Sequence, residues 1–247
     1  MVCKIGADPS ALQGSLKPCR VLESAPNGFT WQRIMKLGID PNKNILRAFP
    51  TFVGQFDVPN AAQVNPILEK VILARESSAE GKSKSNIGGW HSDIDFHEWP
   101  EVKQTDIVDS FYSAVSNMVA MSAMAQKFNL KCHFVSWANV NRKGSHNAVH
   151  NHCNAHWSGV YYVRTPEYDT DDLDRAGDLT FYDPRGAVNM MAHPGKCVDG
   201  ESIRIKPIQG RIVLFPSWLY HSVYPFQSDI VRISVAFNAR VEQFSEL

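Results

Sequence analysis

The spacing of hydrophobic residues changes near residue 130. Before that point, apolar positions recur at the three- and four-residue intervals of an amphipathic helix. A first helix is predicted to begin at Asn65 as its cap, with Pro66 in the first turn, where a missing N–H is tolerated. Its apolar stripe consists of Ile67, Leu68, Val71 and Ile72.

A second helix is predicted to follow a cap at Thr105 or Asp106 and to run to about Phe128. Its apolar positions are Ile107, Phe111, Ala114, Val115, Met118, Met121 and Ala125. The regular spacing indicates that the methionines pack against a core rather than bind a cofactor. Between the two helices, the polar, glycine-containing segment 76–89 is predicted to be a loop or lid.

Beyond Leu130 the chain consists of short β-rich runs separated by Gly and Pro. The predicted strands span residues 132–140, 157–163, 179–182, 203–205, 211–215 and 231–237. An earlier extended run from Ala48 through Phe56, ended by Pro59, is predicted to add a strand. This pattern predicts a mainly β fold, an antiparallel sandwich or jelly roll, with the helices buttressing one face of the larger sheet.

Composition divides the chain into two regions. Residues 1–46 are rich in Pro, Gly, Ser and Lys and are predicted to form an irregular or loosely docked extension, which leaves 47–247 as the folded domain. Lys plus Arg equals Asp plus Glu at 25 each, which disfavours a nucleic-acid partner. The five cysteines contain no Cys-x-x-Cys pair, and no segment approaches the roughly 18 apolar residues of a membrane span. We therefore expect a soluble cytoplasmic protein.

Histidines cluster where a metal site is expected. His150 and His152 are two residues apart, so both project from one face of an extended strand, and His221 follows in a later aromatic loop. Asn154 would share that face if the strand continued. The alternative is a polar, hydrogen-bonded strand end without a metal.

The strand that begins near residue 231 carries Arg232 and Ser234 on one face. A guanidinium inside an apolar β-barrel is costly unless an anion pairs with it. A carboxylate bound by the arginine and the serine hydroxyl would satisfy this charge. The sequence thus predicts a site for a small dicarboxylate next to the histidines.

Five short segments, in their order, resemble the family of 2-oxoglutarate- and Fe(II)-dependent oxygenases, whose fold is a double-stranded β-helix. They are GGWHS at 88–92, HNH at 150–152, SGVYYV at 158–163, FYDPR at 181–185 and FPSWLYH at 215–221. The resemblance covers about residue 49 to the C-terminus. It implies Fe(II), 2-oxoglutarate and O2 as cofactor and co-substrates, and hydroxylation of an unidentified substrate with release of succinate and CO2.

The resemblance also implies roles for individual residues. His150 and His221 would be iron ligands, and Arg232 with Ser234 would bind the distal carboxylate of 2-oxoglutarate, helped by Tyr162. His152 stands where the family usually has a carboxylate ligand, and three imidazoles would also suit Zn(II), Ni(II) or Cu(II).

Two further assignments stay open at the sequence level. If the motif is instead anchored on His152, the third ligand becomes Asn154, which is otherwise a candidate substrate contact together with Arg185. The substrate would be a small molecule or a peptide. The alternative function is a cupin-like metal-binding protein, or a three-His dioxygenase, that does not use 2-oxoglutarate.

Overall fold

The computed structural model describes residues 40–44, 46, 49–166, 177–185, 192–193, 196–197 and 202–247. The chain divides into two compact units, residues 1–49 and 50–247. In the first unit a single helical turn, α1, spans Pro41–Asn44. The predicted irregular extension of residues 1–46 falls almost entirely outside the described residues, so its character and its boundary remain predictions.

The described residues of the second unit form two long helices and thirteen strands. The helices are α2, Ala61–Ser78, and α3, Ile107–Ala123, with a short 3-10 turn at Phe96–Glu98. The strands before residue 170 are β1 (Gly54–Asp57), β2 (Asn86–Ile87), β3 (Trp90–His91), β4 (Phe128–Asn141), β5 (His146–His150) and β6 (Trp157–Arg164). The later strands are β7 (Leu179–Tyr182), β8 (Ala192–His193), β9 (Lys196–Cys197), β10 (Ser202–Ile205), β11 (Arg211–Pro216), β12 (His221–Val223) and β13 (Arg232–Glu246).

Two antiparallel sheets form the body of this unit. The major sheet has six strands in the order β1-β11-β6-β13-β4-β3, and the minor sheet has five in the order β10-β7-β12-β5-β2. β8 and β9 pair with each other, apart from these two sheets among the described strands. All six strands predicted beyond residue 130 are present, and the predicted β sandwich is confirmed.

The helices cover one face of the major sheet, as the sequence predicts. α2 contacts β6 and β4, and α3 contacts β11 and β1. Phe111 of α3 stacks on Phe237 of β13 with ring centroids 4.4 Å apart, and it also contacts the ring of Tyr161. Because side chains alternate along a strand, the neighbours of Tyr161 and Phe237 point to the opposite face, into the space between the sheets.

The predicted start of α2 is wrong by five residues, because Asn60 rather than Asn65 is the residue before the helix. The helix begins at Ala61, and Asn65 lies inside it, buried, with its side-chain oxygen accepting a hydrogen bond from the Tyr161 hydroxyl at 2.5 Å. Pro66 is therefore within the helix rather than in its first turn, on the exposed side where water can reach the carbonyl that it leaves unpaired. Ile67, predicted to face the core, is 48% exposed.

The predicted end of α3 is also wrong. The helix ends at Ala123, where Met124 adopts a left-handed conformation with φ of 53°, and Phe128 already belongs to β4. At the other end Asp106 precedes the helix but does not cap it with its side chain. Its carboxylate accepts a hydrogen bond from the Asn60 amide at 2.7 Å, which joins the starts of the two helices.

Several short elements have too few residues to show a hydrophobic period. β2 and β3 lie within or beside the predicted loop 76–89, and β5 and β12 carry the clustered histidines. β1 is shorter than the predicted run from Ala48. None of the helices in the described ranges is both long and apolar enough to cross a bilayer.

Candidate active site

Three histidines meet where the minor sheet faces the interior. His150 ends β5, His152 follows two residues later, and His221 begins β12 directly opposite His150 in the ladder. Each offers a ring nitrogen, and these nitrogens all lie within 4.8 Å of one another. The predicted meeting of the two distant sequence segments therefore occurs, with geometry able to hold one metal ion.

Backbone carbonyls fix the ring orientation of two of these histidines. Nδ1 of His150 lies 2.7 Å from the Ala148 carbonyl oxygen, and Nδ1 of His221 lies 2.9 Å from that of Leu219. A carbonyl oxygen only accepts, so each Nδ1 carries the hydrogen. The lone pair of each neutral ring is then on Nε2, which is the arrangement that a metal ligand needs.

His152 is held differently. Its Nε2 lies 3.3 Å from Nε2 of His221, and its Nδ1 lies 3.1 Å from the side-chain nitrogen of Asn238 on β13. Its ring also stacks on Trp137 of β4, with centroids 5.7 Å apart. Trp137 in turn stacks on His91, which lines the same cavity.

Burial keeps the histidine cluster uncharged. Desolvation, with a smaller contribution from the neighbouring His150, lowers the pKa of His221 to about 3 and that of His152 to about 4. Burial likewise lowers the pKa of His150. At neutral pH all three rings are therefore neutral and have a nitrogen lone pair available for a cation.

The histidines open into a cavity of about 500 Å3 between the sheets. The opposite wall carries Tyr162 of β6 and, directly across the ladder, Ser234 of β13, with Arg232 beside them. Arg232 is 2% exposed and donates hydrogen bonds from Nη1 to Ser234 Oγ at 3.2 Å and to Asn141 Oδ1 at 3.4 Å. It forms no ion pair with any residue in the described part of the chain.

Two buried polar atoms on this wall have no hydrogen-bond partner among the described residues. They are Nε of Arg232 and the hydroxyl of Tyr162, a fully buried residue whose pKa burial raises to about 12. The guanidinium carbon of Arg232 lies 5.2 Å from the centre of the Tyr162 ring. A buried guanidinium N–H and a buried hydroxyl without partners are costly, and a carboxylate bound between them would satisfy both.

Six of the eight residues predicted for the site line this cavity: the three histidines, Arg232, Ser234 and Tyr162. Asn154 does not, because the strand ends at His150 and Asn154 lies exposed in a turn with φ of 61°. The strand does not continue to Asn154, so the condition under which Asn154 would share a face with the histidines is not met. Arg185 is exposed, bonds the Asp183 carboxylate at 2.6 Å, and is not among the described cavity residues.

Sequence reasoning missed several cavity residues. Val135, Trp137 and Asn139 alternate along β4 and all face the cavity, so the two-residue period of the predicted strand contained the signal. Asn238 lies four residues after Ser234 and shares its face for the same reason. Lys84 and Ser85, by contrast, come from a segment without a period, and Ser85 Oγ lies 3.3 Å from His150 Nε2.

Residues 135–238 match the model of a protein family described as "Putative 2OG-Fe(II) oxygenase". A search of curated proteins gives no match. Among solved structures, the chain is similar to a prolyl-4-hydroxylase of Pseudomonas putida, with a TM-score of 0.54, 17% identity, and coverage of 78% of this chain and 94% of that one.

Two further structures share the fold. A Trichoplax adhaerens prolyl hydroxylase, in complex with a peptide fragment of the hypoxia inducible factor, gives a TM-score of 0.53 at 15% identity, covering 77% of this chain and 84% of that one. The α-ketoglutarate-dependent carbocyclase SnoK from nogalamycin biosynthesis gives 0.54 at 11% identity, covering 79% and 82%. These likenesses show a double-stranded β-helix fold for this chain.

Proposed function

We propose that this chain is a 2OG-Fe(II) oxygenase, the family whose model residues 135–238 match, and that the cavity between the sheets is its active site. His150, His152 and His221 hold the Fe(II) ion. Their neutral rings, and the orientation of His150 and His221 by backbone carbonyls, support this assignment. Neutral imidazole is a good ligand for divalent iron.

Arg232, Ser234 and Tyr162 hold the distal carboxylate of 2-oxoglutarate. The observation that carries the proposal is the pair of buried, unpartnered atoms, Arg232 Nε and the Tyr162 hydroxyl, in the same cavity as the three histidines. The guanidinium supplies the countercharge, and the two hydroxyls add hydrogen bonds that fix the orientation of the carboxylate. The other end of the dicarboxylate then lies toward the histidines.

When bound, Fe(II) with 2-oxoglutarate and O2 supplies an oxidation that converts the co-substrate to succinate and CO2 and places a hydroxyl group on a substrate C–H bond. The chain contributes binding and exclusion of water. Tyr162, Phe215 and Leu179 bring buried apolar surface to the cavity. This low-dielectric wall strengthens the contact between Arg232 and a carboxylate.

The cavity charge points to the class of substrate. Its described lining contains Lys84 and Arg232 but neither Asp nor Glu. Three neutral ligands offset none of the metal charge, so a site holding Fe(II), dianionic 2-oxoglutarate and Arg232 carries about one net positive charge. We propose a neutral or anionic substrate, either a small molecule or a peptide segment. The similar Trichoplax structure holds a peptide.

We further propose that the protein acts in the cytoplasm and does not bind nucleic acid. Equal numbers of acidic and basic residues, 25 each, and the free state of Cys132 and Cys153 support this proposal. The comparisons lend no support to a cupin-like protein that does not use 2-oxoglutarate, and such a protein would leave the buried Arg232 and Tyr162 without a role.

The test uses the purified full chain with Fe(II), ascorbate and 2-oxoglutarate, and it measures succinate formation and 2-oxoglutarate binding in the presence of Ni(II). We expect binding and slow turnover without added substrate. His221→Ala should lose metal and turnover together, whereas Arg232→Met should keep the metal and lose 2-oxoglutarate affinity.

Arg211→Met is the matched control, because Arg211 pairs with Asp57 on the strand edge and does not line the cavity. It should keep both metal and 2-oxoglutarate affinity. If the wild-type chain neither binds nor consumes 2-oxoglutarate, the proposed function is wrong.

A further inference from the structure

A chain of polar atoms connects the two sheets through His152. Ser158 on β6 stands opposite Asn238 on β13, and the Ser158 hydroxyl lies 2.7 Å from the Asn238 side-chain oxygen. The Asn238 side-chain nitrogen lies 3.1 Å from Nδ1 of His152, whose Nε2 lies 3.3 Å from Nε2 of His221. The chain ends at the Leu219 carbonyl, 2.9 Å from Nδ1 of His221.

The direction of donation along this chain matters for metal binding. With the Asn238 nitrogen next to His152, the amide donates and Nδ1 of His152 accepts. A neutral imidazole has only one hydrogen, so that hydrogen must then lie on Nε2, where it points to the lone pair of His221 Nε2. In this direction every group along the row of hydrogen bonds has a partner, but Nε2 of His152 has no lone pair for a metal.

The opposite direction is available to the same atoms. Rotating the Asn238 amide by about half a turn places its oxygen next to His152 and its nitrogen next to Ser158, with almost no change in shape. The Asn238 oxygen then accepts from Nδ1–H of His152, and the Ser158 hydroxyl accepts from the Asn238 nitrogen. His152 thereby presents an Nε2 lone pair, as His150 and His221 already do.

We propose that Asn238 is a positioning residue that sets the tautomer of His152, and that its amide reverses when His152 binds the metal. The inference rests on the proposed metal role of His152 and adds a residue to which the other observations assign no function. A side chain that can both donate and accept is required, because the two directions need opposite roles at the same place. An Asp at this position would support only the metal-binding direction, and a Leu would support neither.

The first test measures the affinity of the full chain for Co(II), without 2-oxoglutarate. We expect Asn238→Leu to weaken binding by about 10- to 100-fold, the usual effect of removing a hydrogen-bond partner of a ligating histidine. Asn238→Asp should bind at least as tightly as the wild type. Asn139→Leu is the matched control, since Asn139 lines the same cavity from β4, and its affinity should be unchanged. Wild-type affinity in Asn238→Leu would overturn the proposal.

The second test does not depend on any metal. In EDTA-treated protein with 15N-labelled histidine, long-range 1H–15N correlation spectra show which nitrogen of the His152 ring carries hydrogen. We expect Nε2–H in the wild type and a protonated Nδ1 in the isosteric Asn238→Asp variant. The same protonation pattern in both would overturn the proposal.

The two tests also separate this proposal from the function. A wild type that binds no metal would contradict the proposed function, whereas the spectra would still decide whether Asn238 sets the tautomer.

Discussion

Replacing Tyr162 with Phe should change stability and co-substrate affinity in opposite directions. The Tyr162 hydroxyl is fully buried, and no described residue bonds to it. Among the described residues this hydroxyl therefore has no hydrogen-bond partner in the free protein, although the nearby Arg232 guanidinium opposes the rise of its pKa. Removing the hydroxyl leaves the packing of the ring intact. We expect the free energy of unfolding of the metal-free Tyr162→Phe variant to be unchanged or raised by up to about 1 kcal/mol.

The affinity of the Tyr162→Phe variant for 2-oxoglutarate should be lower than that of the wild type. A hydrogen bond to a charged acceptor contributes about 1.5–3 kcal/mol, so loss of the one between Tyr162 and the carboxylate should weaken binding by about 10- to 100-fold. Arg232 remains in the variant and keeps the electrostatic part of the interaction. Weakened but measurable binding is therefore the expected result, rather than its abolition.

The neighbouring residue provides a control with the reverse behaviour. Tyr161 is just as deeply buried, but it faces the helices and donates to Asn65, which is 4% exposed. Tyr161→Phe leaves the Asn65 oxygen buried without a donor, which should cost about 1–3 kcal/mol of stability. Its affinity for 2-oxoglutarate should equal that of the wild type, because Tyr161 lies outside the cavity lining.

Two measurements on each variant decide the matter. Urea unfolding of EDTA-treated protein gives the free energy of unfolding, and calorimetric titration of 2-oxoglutarate into Ni(II)-loaded protein gives the affinity. If Tyr162→Phe binds 2-oxoglutarate within about twofold of the wild type, Tyr162 does not contact the co-substrate. If it loses about as much stability as Tyr161→Phe, the Tyr162 hydroxyl already has a hydrogen-bond partner in the free protein and is not available to a carboxylate.

Two further predictions concern stability. In the folded protein the pKa of His152 is about 4 and that of His221 about 3, against an ordinary 6.5. As pH falls below 6.5, these histidines take up protons in the unfolded chain but not in the folded one, so the free energy of unfolding decreases. Urea unfolding of metal-free protein should show about 2 kcal/mol lost per ring at pH 5, and an unchanged value from pH 7.5 would refute this. Gly159→Ala would bring a Cβ within 2.2 Å of the Phe237 ring and should cost about 1–3 kcal/mol in the same assay. The added change Phe237→Leu should recover part of that loss, and no recovery would exclude this clash as the cause.

The sequence predicts the β framework well because long buried strands carry a strong two-residue period. That period places Arg232 and Ser234 on one face, and in the structure Nη1 of Arg232 lies 3.2 Å from Oγ of Ser234. The same two-residue period places Trp137 and Asn238 in the cavity lining, although their residue types alone do not indicate a site. In this region, strand phase is as informative about the site as residue type.

Helix boundaries and loop contacts could not be predicted because tertiary contacts determine them. Asn65 looks like a helix cap in isolation, but the hydroxyl of Tyr161, 96 positions away, bonds it inside the helix. Asp106 similarly bonds Asn60 rather than its own helix. Asn154 follows the metal motif in sequence, but the chain leaves the strand at His150 and turns away. Local propensity contains none of these distant partners.

The two sheets contribute different groups to the candidate site. The minor sheet supplies His150 and His221, and the major sheet supplies Arg232 and Tyr162, so neither sheet alone can hold both a metal and a dicarboxylate. His152 joins them, because it lies beside the minor sheet and contacts Asn238 of the major sheet. A change in the spacing of the sheets would therefore alter the ligand orientation of His152 before it altered that of His150 or His221, whose Nδ1 atoms bond carbonyls only two residues away in their own segments. His152, the proposed ligand at the position where the family usually has a carboxylate, is thus also the residue through which the wall of Arg232 and Tyr162 and the other two histidines are coupled.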